Sequence, residues 1–265
     1  MNPLDFLKYT PRSNCGRCGH PTCLAFAVAV TRGGAAPGLC PFIDPAGLAA
    51  AGNGPAAAPG RDERDTDLAA RLKSKILHLD LRTIAARVGA DWLPAPAGLL
   101  RFRYLDRQVE LDKDELRLDG REPTDPRDRI LLYNYVSCAG GRVPAGDWIG
   151  MESLPNSLSK VRTLATYCEL RLAGRFGGRS PRLAELCRRL GAEPVPGGRT
   201  ATVGVVVPVL PYVPHCLLFW DEEPEDGFEA RVKILFDRHV MDFLDIESLV
   251  FSAERLADRL AELDL

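Results

Sequence analysis

No stretch of this sequence is apolar for long enough to cross a bilayer. A spanning helix needs about 20 apolar residues, and the most apolar run after the first segment, Val203 to Leu210, is interrupted by Pro208 and followed by Pro211. The first residues, MNPLDFLKYTPRS, also lack the apolar core of a secretory signal. A cytoplasmic protein without membrane insertion is expected. Charge of one sign is missing too: 34 Lys and Arg stand against 36 Asp and Glu, a net charge of -2. That excludes a general attraction to nucleic acid or anionic lipid, so no nucleic-acid partner is expected. There is no G-x-G-x-x-G at a strand-to-helix junction, no phosphate-binding loop, no serine nucleophile elbow and no internal repeat. Whether the chain is an enzyme is therefore left open.

Against these absences stand eight cysteines in 265 residues, four of them before residue 44. In a reducing compartment such cysteines read as metal ligands and small buried apolar side chains rather than as a disulfide framework. Cys15, Cys18, Cys23 and Cys40 form C-x2-C-x4-C-x16-C, with Pro41 after the last. Two thiolates separated by two residues can grip one metal centre, because the turn between them aims both sulfurs and the backbone N–H groups inward. Gly16 and Gly19 each follow a cysteine directly. A residue without Cβ tolerates positive φ or close approach of backbone to inorganic sulfide there. Thr22 is placed to cap a helix running from Cys23 toward Gly33 and Gly34. The Cys23 sulfur then lies at the positive end of the helix dipole, where a thiolate is favoured. Leu24, Phe26, Ala27 and Val30 are expected to screen one side from water, and Lys8, Arg12 and Arg17 to temper the negative charge.

Other uses of the four thiols compete. Structural zinc commonly takes two short C-x2-C pairs, and here the second pair is missing because Cys23 and Cys40 stand alone. Disulfides need an oxidising compartment. Unligated core cysteines would leave a very short module without a staple. Among iron-sulfur centres the spacing matches neither the plant-type two-iron order nor the bacterial four-iron run, so spacing by itself leaves the cluster type open.

The chain divides by composition. Residues 1–44 form the cysteine-rich module, and 45–63, rich in Ala, Gly and Pro, read as a linker. Residues 64–265 form a larger domain. Within it, helical spacing runs from Thr66 to Trp92, with a kink or split expected, and LLRFRYLDRQVELDKDELRLDG alternates as two or three antiparallel strands would. Helices are expected over Pro126–Ala139, Ser159–Phe176, Pro181–Leu190 and Ile246–Leu263. Strands are expected in TATVGVVVPVL, HCLLFW and ARVKILF, the first two separated by a Pro-rich bend from Pro208 to Pro214. Strands and helices fall in blocks, which predicts an α+β fold with an antiparallel or mixed sheet and packed helices.

The segment PRSNCGRCGHPTCLAFAVAVTRGGAAPGLCP, through its pattern N-C-G-x-C-G-x-P-T-C-x-x-F-A…C-P, resembles the small iron-sulfur domain at the start of the large subunit of corrinoid iron-sulfur proteins and of related redox proteins. The resemblance implies that Cys15, Cys18, Cys23 and Cys40 hold one [4Fe-4S] cluster. It covers about the first forty residues and does not imply a corrinoid-binding barrel. The remainder resembles domain-of-unknown-function family 3786 through ILLYNYV, GDWIGMESLP, PVLPYVPHCLLFWDEEPEDG and ILFDRHVMDFLDIESL, and that family supplies no reaction. The expected function is one-electron transfer to or from a redox partner protein. Two alternatives stand beside it: a structural or sensing cluster on an interaction module, and an accessory protein or enzyme of corrinoid-linked methyl transfer, with a corrinoid protein as partner.

Other residues attract attention in the larger domain. Asp221, Glu222 and Glu223, after Trp220, could form a cation site or docking surface, but such a run reads first as a solvated hairpin loop. Trp148, between Gly146 and Gly150, reads first as a half-buried packing residue. His215 and His239 have ligand or acid-base chemistry, but His215 and the adjacent Cys216 point to opposite faces of a strand and cannot share a ligand. Cys138, Cys168 and Cys187 are expected to be buried as small hydrophobes.

Overall fold

The computed structural model describes residues 3–31, 34–43, 61–94, 98–196 and 200–265, with side chains from residue 65 onward in the helix that opens the third segment. Nearly all of the expected linker, residues 45–60, lies outside them. The chain divides into two compact units, Met1–Arg64 and Asp65–Leu265.

The first unit is built on two helices, α1 (Pro3–Leu7) and α2 (Cys23–Thr31), with a 3-10 turn at Pro37–Leu39. Thr22 accepts the Ala25 N–H through its side-chain oxygen at 3.0 Å and so caps α2, as its position suggests. Phe6, Phe26, Ala27, Val30, Cys40 and Ile43 close a small core, in which Phe6 meets Phe26 edge to face at 6.0 Å. Leu24 is not part of it. At 45% exposed, it faces water because, one residue after Cys23, it lies about 100° round the helix from it, off the stripe of Cys23, Phe26, Ala27 and Val30.

The second unit holds two sheets, both antiparallel throughout. The first joins β1 (Asp91–Leu93), β2 (Leu99–Tyr104), β3 (Arg107–Leu111) and β4 (Leu116–Leu118) in chain order. The second has the order β5-β9-β8-β7-β6, from β5 (Trp148–Ile149), β6 (Glu193–Pro194), β7 (Val203–Leu210), β8 (Val213–Trp220) and β9 (Arg231–Asp237). The Leu105 N–H donates to the Val209 carbonyl at 2.9 Å and ties the β2–β3 turn to β7. The fold is α+β, and the sheets are antiparallel rather than mixed.

The helical stretch expected from Thr66 to Trp92 is split, as expected, into α3 (Arg61–Leu77), a short α4 (Leu81–Ile84) and a 3-10 turn at Ala86–Val88, and ends short of Trp92. Asp80 breaks it. Its carboxylate accepts from Arg82 N and Thr83 N, starting a new helix where the old one would have continued. Trp92 then pairs with Leu100 in a strand. The Pro-rich bend is also shorter than expected, because Pro208 and Pro214 face each other within the β7–β8 ladder beside an irregularity at Pro208/Leu210. A proline at a bulge removes no ladder donor that was needed, so only Pro211 and Tyr212 make the turn.

Helix α5 (Pro126–Cys138) begins at an Asp125 cap, and the stretch expected as one helix over Ser159–Phe176 is α6 (Leu158–Leu164), a π turn at Ala165–Glu169 and α7 (Leu170–Phe176). After α8 (Ser180–Arg189), the chain closes with α9 (Ile246–Leu263), which buries Leu249, Val250, Ala253, Leu256, Ala257 and Leu260. Each buried leucine contributes roughly 1.5–3 kcal/mol over exposure, so this stripe is a large share of the core. No helix among the described residues is long and apolar enough to cross a membrane.

Candidate metal centre

The four front cysteines are all free thiols, in different settings. Cys15 is exposed, Cys18 is half-buried, and Cys23 and Cys40 are buried. Cys18 and Cys40 meet the same apolar core, and Cys23 opens α2. The backbone around them takes the shape that the glycines allow: Gly16 at φ +70° and Gly19 at φ +81°, with the Gly19 N–H donating to the Gly16 carbonyl at 2.9 Å. A side chain at either position would be strained in this left-handed conformation. The Arg17 backbone N–H and the Ser13 hydroxyl, directed at the Cys15 sulfur, hold its thiol below the ordinary cysteine value.

Asn14, which opens the N-C-G-x-C pattern, has a structural role that the pattern does not reveal. At φ +50° its side-chain oxygen accepts the Cys23 N–H at 2.8 Å, bracing the start of α2 against the loop that carries Cys15. Its signal was its type, since asparagine tolerates the left-handed region and bonds nearby backbone. Lys8 is paired with Asp5 at 2.8 Å, and Arg17 stacks over the Phe42 ring at 5.5 Å.

Among the described residues, no group of three or more His, Cys, Asp or Glu side chains is close enough to hold a metal ion. An iron-sulfur cluster receives its thiolates on separate irons. The donor chemistry fits such a cluster: four thiols, two left-handed glycines beside them, an N–H on the exposed sulfur, a helix start at the third and an apolar wall behind the fourth.

Elsewhere the flagged residues separate. His215 is fully buried on β8, with Nε2 2.8 Å from Ser252 Oγ on α9 and its ring edge-on to Phe236 at 4.9 Å. Cys216 turns to the opposite side, among Val195, Leu218 and Leu235, as strand alternation requires. His239 lies beside the buried Asp237, Nδ1 to Oδ1 3.8 Å, and Asp237 accepts the N–H groups of Gly146 and His239 at 2.8 and 2.9 Å. Trp148 is half-buried against the Cys216 cluster. Burial pushes the Cys168 and Cys187 thiols up. Cys138 departs from expectation: it is exposed at the end of α5, where the helix stops at Ala139 in a left-handed cap.

Residues 80–259, more than half of the chain, match the family described as "Domain of unknown function (DUF3786)". The chain belongs to the DUF3786 family. Ahead of that domain, residues 11–42 match the family described as "Putative Fe-S cluster". Among curated proteins, the corrinoid/iron-sulfur protein large subunit of Moorella thermoacetica is 45% identical over 46 residues, covering 17% of this chain and 10% of that protein. Subunit gamma 1 of the acetyl-CoA decarbonylase/synthase complex of Methanosarcina thermophila is 62% identical over 26 residues, covering 10% of this chain and 6% of that subunit. This DUF3786 chain thus matches only about a tenth or less of the length of those relatives. No solved structure matches it. Together the front-end matches make it an iron-sulfur protein.

Proposed function

We propose that Cys15, Cys18, Cys23 and Cys40 hold one [4Fe-4S] cluster and that the chain passes single electrons to or from a redox partner in the cytoplasm. The observation that carries this reading is the built-in asymmetry of the donor set: Cys15 exposed, Cys23 buried at the start of α2, and Cys40 buried in the core formed by Phe6, Phe26 and Ile43. A bound cluster supplies a centre that gains and loses one electron. The exposed Cys15 edge gives a partner a short route to it. The Arg17 N–H and Ser13 hydroxyl favour the thiolate at that sulfur, and the aromatic wall excludes water from the opposite side. Those two influences, hydrogen bonding and burial, are the levers that set a cluster's potential.

The likeness to the large subunit of a corrinoid/iron-sulfur protein favours a corrinoid protein as that partner. The DUF3786 domain would then serve docking rather than the electron step.

Anoxic purification followed by iron, sulfide and zinc analysis, visible absorption and EPR tests the reading. About four irons and four sulfides per chain, with a reversible one-electron signal, are expected. Zinc in place of iron, or full iron retention in Cys18→Ala, would overturn the ligand assignment. A cluster that resists reduction would overturn the electron-transfer role.

A further inference from the structure

The acidic stretch Asp221–Glu229 closes on itself. The N–H of Glu223 donates to the Phe228 carbonyl at 2.9 Å, and the N–H of Phe228 returns to the Glu223 carbonyl at 3.1 Å. Asp221 turns inward, its two oxygens accepting from Gly178 N at 2.8 Å and Ser180 N at 3.3 Å. The acids beyond it have no such task. Glu223, Glu225, Asp226 and Glu229 form no ion pair among the described residues, although arginines elsewhere in this unit are densely paired with carboxylates.

Glu223 and Glu229 stand at the rim of a cavity of about 590 Å³ walled by Trp220, Phe228 and Leu170. Arg231 is the one cation among its lining residues. The wall is held from behind: Glu169, in the π turn just before Leu170, accepts the Ile234 N–H of β9 at 3.0 Å. π turns recur at functional positions, and this one fixes Leu170 against the strand. The apolar surface is also open. Phe228 and Leu170 are each 66% exposed, and Tyr167 in the same turn is 60% exposed.

We infer that this face docks a partner protein through a basic segment bearing one bulky apolar side chain. That side chain fills the cavity between Trp220, Leu170 and Phe228, while Lys or Arg residues beside it meet Glu223 and Glu229. Charge complementarity selects the occupant: Glu223, Glu225, Asp226 and Glu229 are exposed and in no ion pair among the described residues, so the loop presents an excess of negative charge beside the single Arg231 of the cavity. The exposure of the walls selects a protein over a small molecule, because a small-molecule pocket encloses most of its ligand, whereas here Leu170 and Phe228 are each two-thirds exposed. Aromatic side chains in a desolvated pocket are the usual anchors of such contacts.

The test uses the full chain and two fluorescein-labelled peptides, one with a single Trp flanked by Lys and Arg, the other with Glu and Asp at the flanks. The basic peptide is expected to bind, more weakly as salt rises. Phe228→Ala should weaken it about tenfold, which is ~1.4 kcal/mol, and Glu223→Gln with Glu229→Gln should remove most of the salt dependence. Glu115→Gln with Glu122→Gln, on acids lining another cavity, should change nothing, and circular dichroism checks that each variant is folded. No binding of the basic peptide, equal binding of the acidic one, or indifference to both Phe228→Ala and the 223/229 pair would overturn the inference. Tighter binding of the small cation tryptamine than of the peptide would overturn it in favour of a small-molecule pocket. None of these outcomes depends on cluster content, so they stand or fall apart from the electron-transfer reading.

Discussion

Arg255 grips Asp128 with one edge of its guanidinium, in a bidentate pair: Nε lies 2.8 Å from Oδ1 and Nη2 3.1 Å from Oδ2. Both side chains are nearly out of water, at 7% and 3% exposed. Tyr104 donates its hydroxyl to the same carboxylate at 2.7 Å, and burial, with the neighbouring Asp128 charge, pushes its phenol up. The pair ties α5 to α9, and Tyr104 brings in β2. Removing one member leaves the other buried charge with lesser partners: Arg255 keeps Asp258 at 3.1 Å and Asp125 at 3.5 Å, and Asp128 keeps Arg107 at 3.8 Å and the Tyr104 hydroxyl. Asp128→Ala and Arg255→Met are therefore each expected to cost less in urea unfolding than the ~3–5 kcal/mol of a fully isolated buried charge, but more than the ~1 kcal/mol of an exposed pair. The double variant Asp128→Leu/Arg255→Met should lose far less than the sum. Single losses near zero would show that the pair contributes nothing.

Much of this chain is legible in order of sequence distance. The C-x2-C-x4-C-x16-C spacing, the Thr22 cap and the stripe of α9 are local patterns, and each can be read from neighbours a few residues apart. Asp128 and Arg255 are 127 positions apart, and no periodicity marks two charges that will meet in a core. The two- and three-residue strands β1, β5 and β6 are too short to show alternation. Trp92 reads as the last member of a helical series until Asp80 is seen to accept backbone N–H groups and restart the chain. The acidic run could be read as wet loop or docking face because its sequence shows the carboxylates and hides Leu170, which stands 51 residues before Asp221.

His215 should make the fold acid-sensitive. Ser252 Oγ donates to the Leu249 carbonyl at 2.7 Å, so His215 Nε2 is the donor in the 2.8 Å bond to Ser252, and the ring is neutral. Burial pushes its pKa down to about 4. The unfolded histidine titrates near 6.5, so on acidification the unfolded chain takes the proton first. Stability present above pH ~6.5 is therefore lost progressively as pH falls toward ~4, by up to ~3 kcal/mol. Urea unfolding across this range should show that slope in the native chain and a flatter one in His215→Gln. Equal slopes would assign the acid sensitivity to other groups.

Asn14 should matter to the metal site without touching the metal. Its side-chain oxygen holds the Cys23 N–H while its backbone occupies the left-handed region. Asn14→Ala loses the bond and keeps the strained φ, together about 1–2 kcal/mol. The expected result is lower iron retention after gel filtration and faster bleaching on exposure to air, with unfolding of the larger unit unchanged. Asn14→Gly, which relieves the φ and lacks only the bond, should fall between. If Asn14→Ala kept its iron as firmly as the native chain, the brace would be dispensable.

Tyr135 joins three segments with one hydroxyl. It donates to the Val88 carbonyl at 2.8 Å and accepts the Tyr212 N–H at 3.2 Å, while its ring stacks on Phe243 at 5.9 Å. Tyr135→Phe keeps the ring and strands both backbone groups, so it should cost ~1–3 kcal/mol. Tyr133, two residues earlier on α5, has no hydroxyl bond among the described residues, and Tyr133→Phe is expected to be near neutral. Burial raises the phenol pKa in both, so burial of the oxygen alone cannot distinguish them. If the two variants unfolded at the same urea concentration, the Val88 and Tyr212 groups would have found other partners, and the hydroxyl would not be what holds the β7–β8 turn against the 3-10 turn at Ala86–Val88.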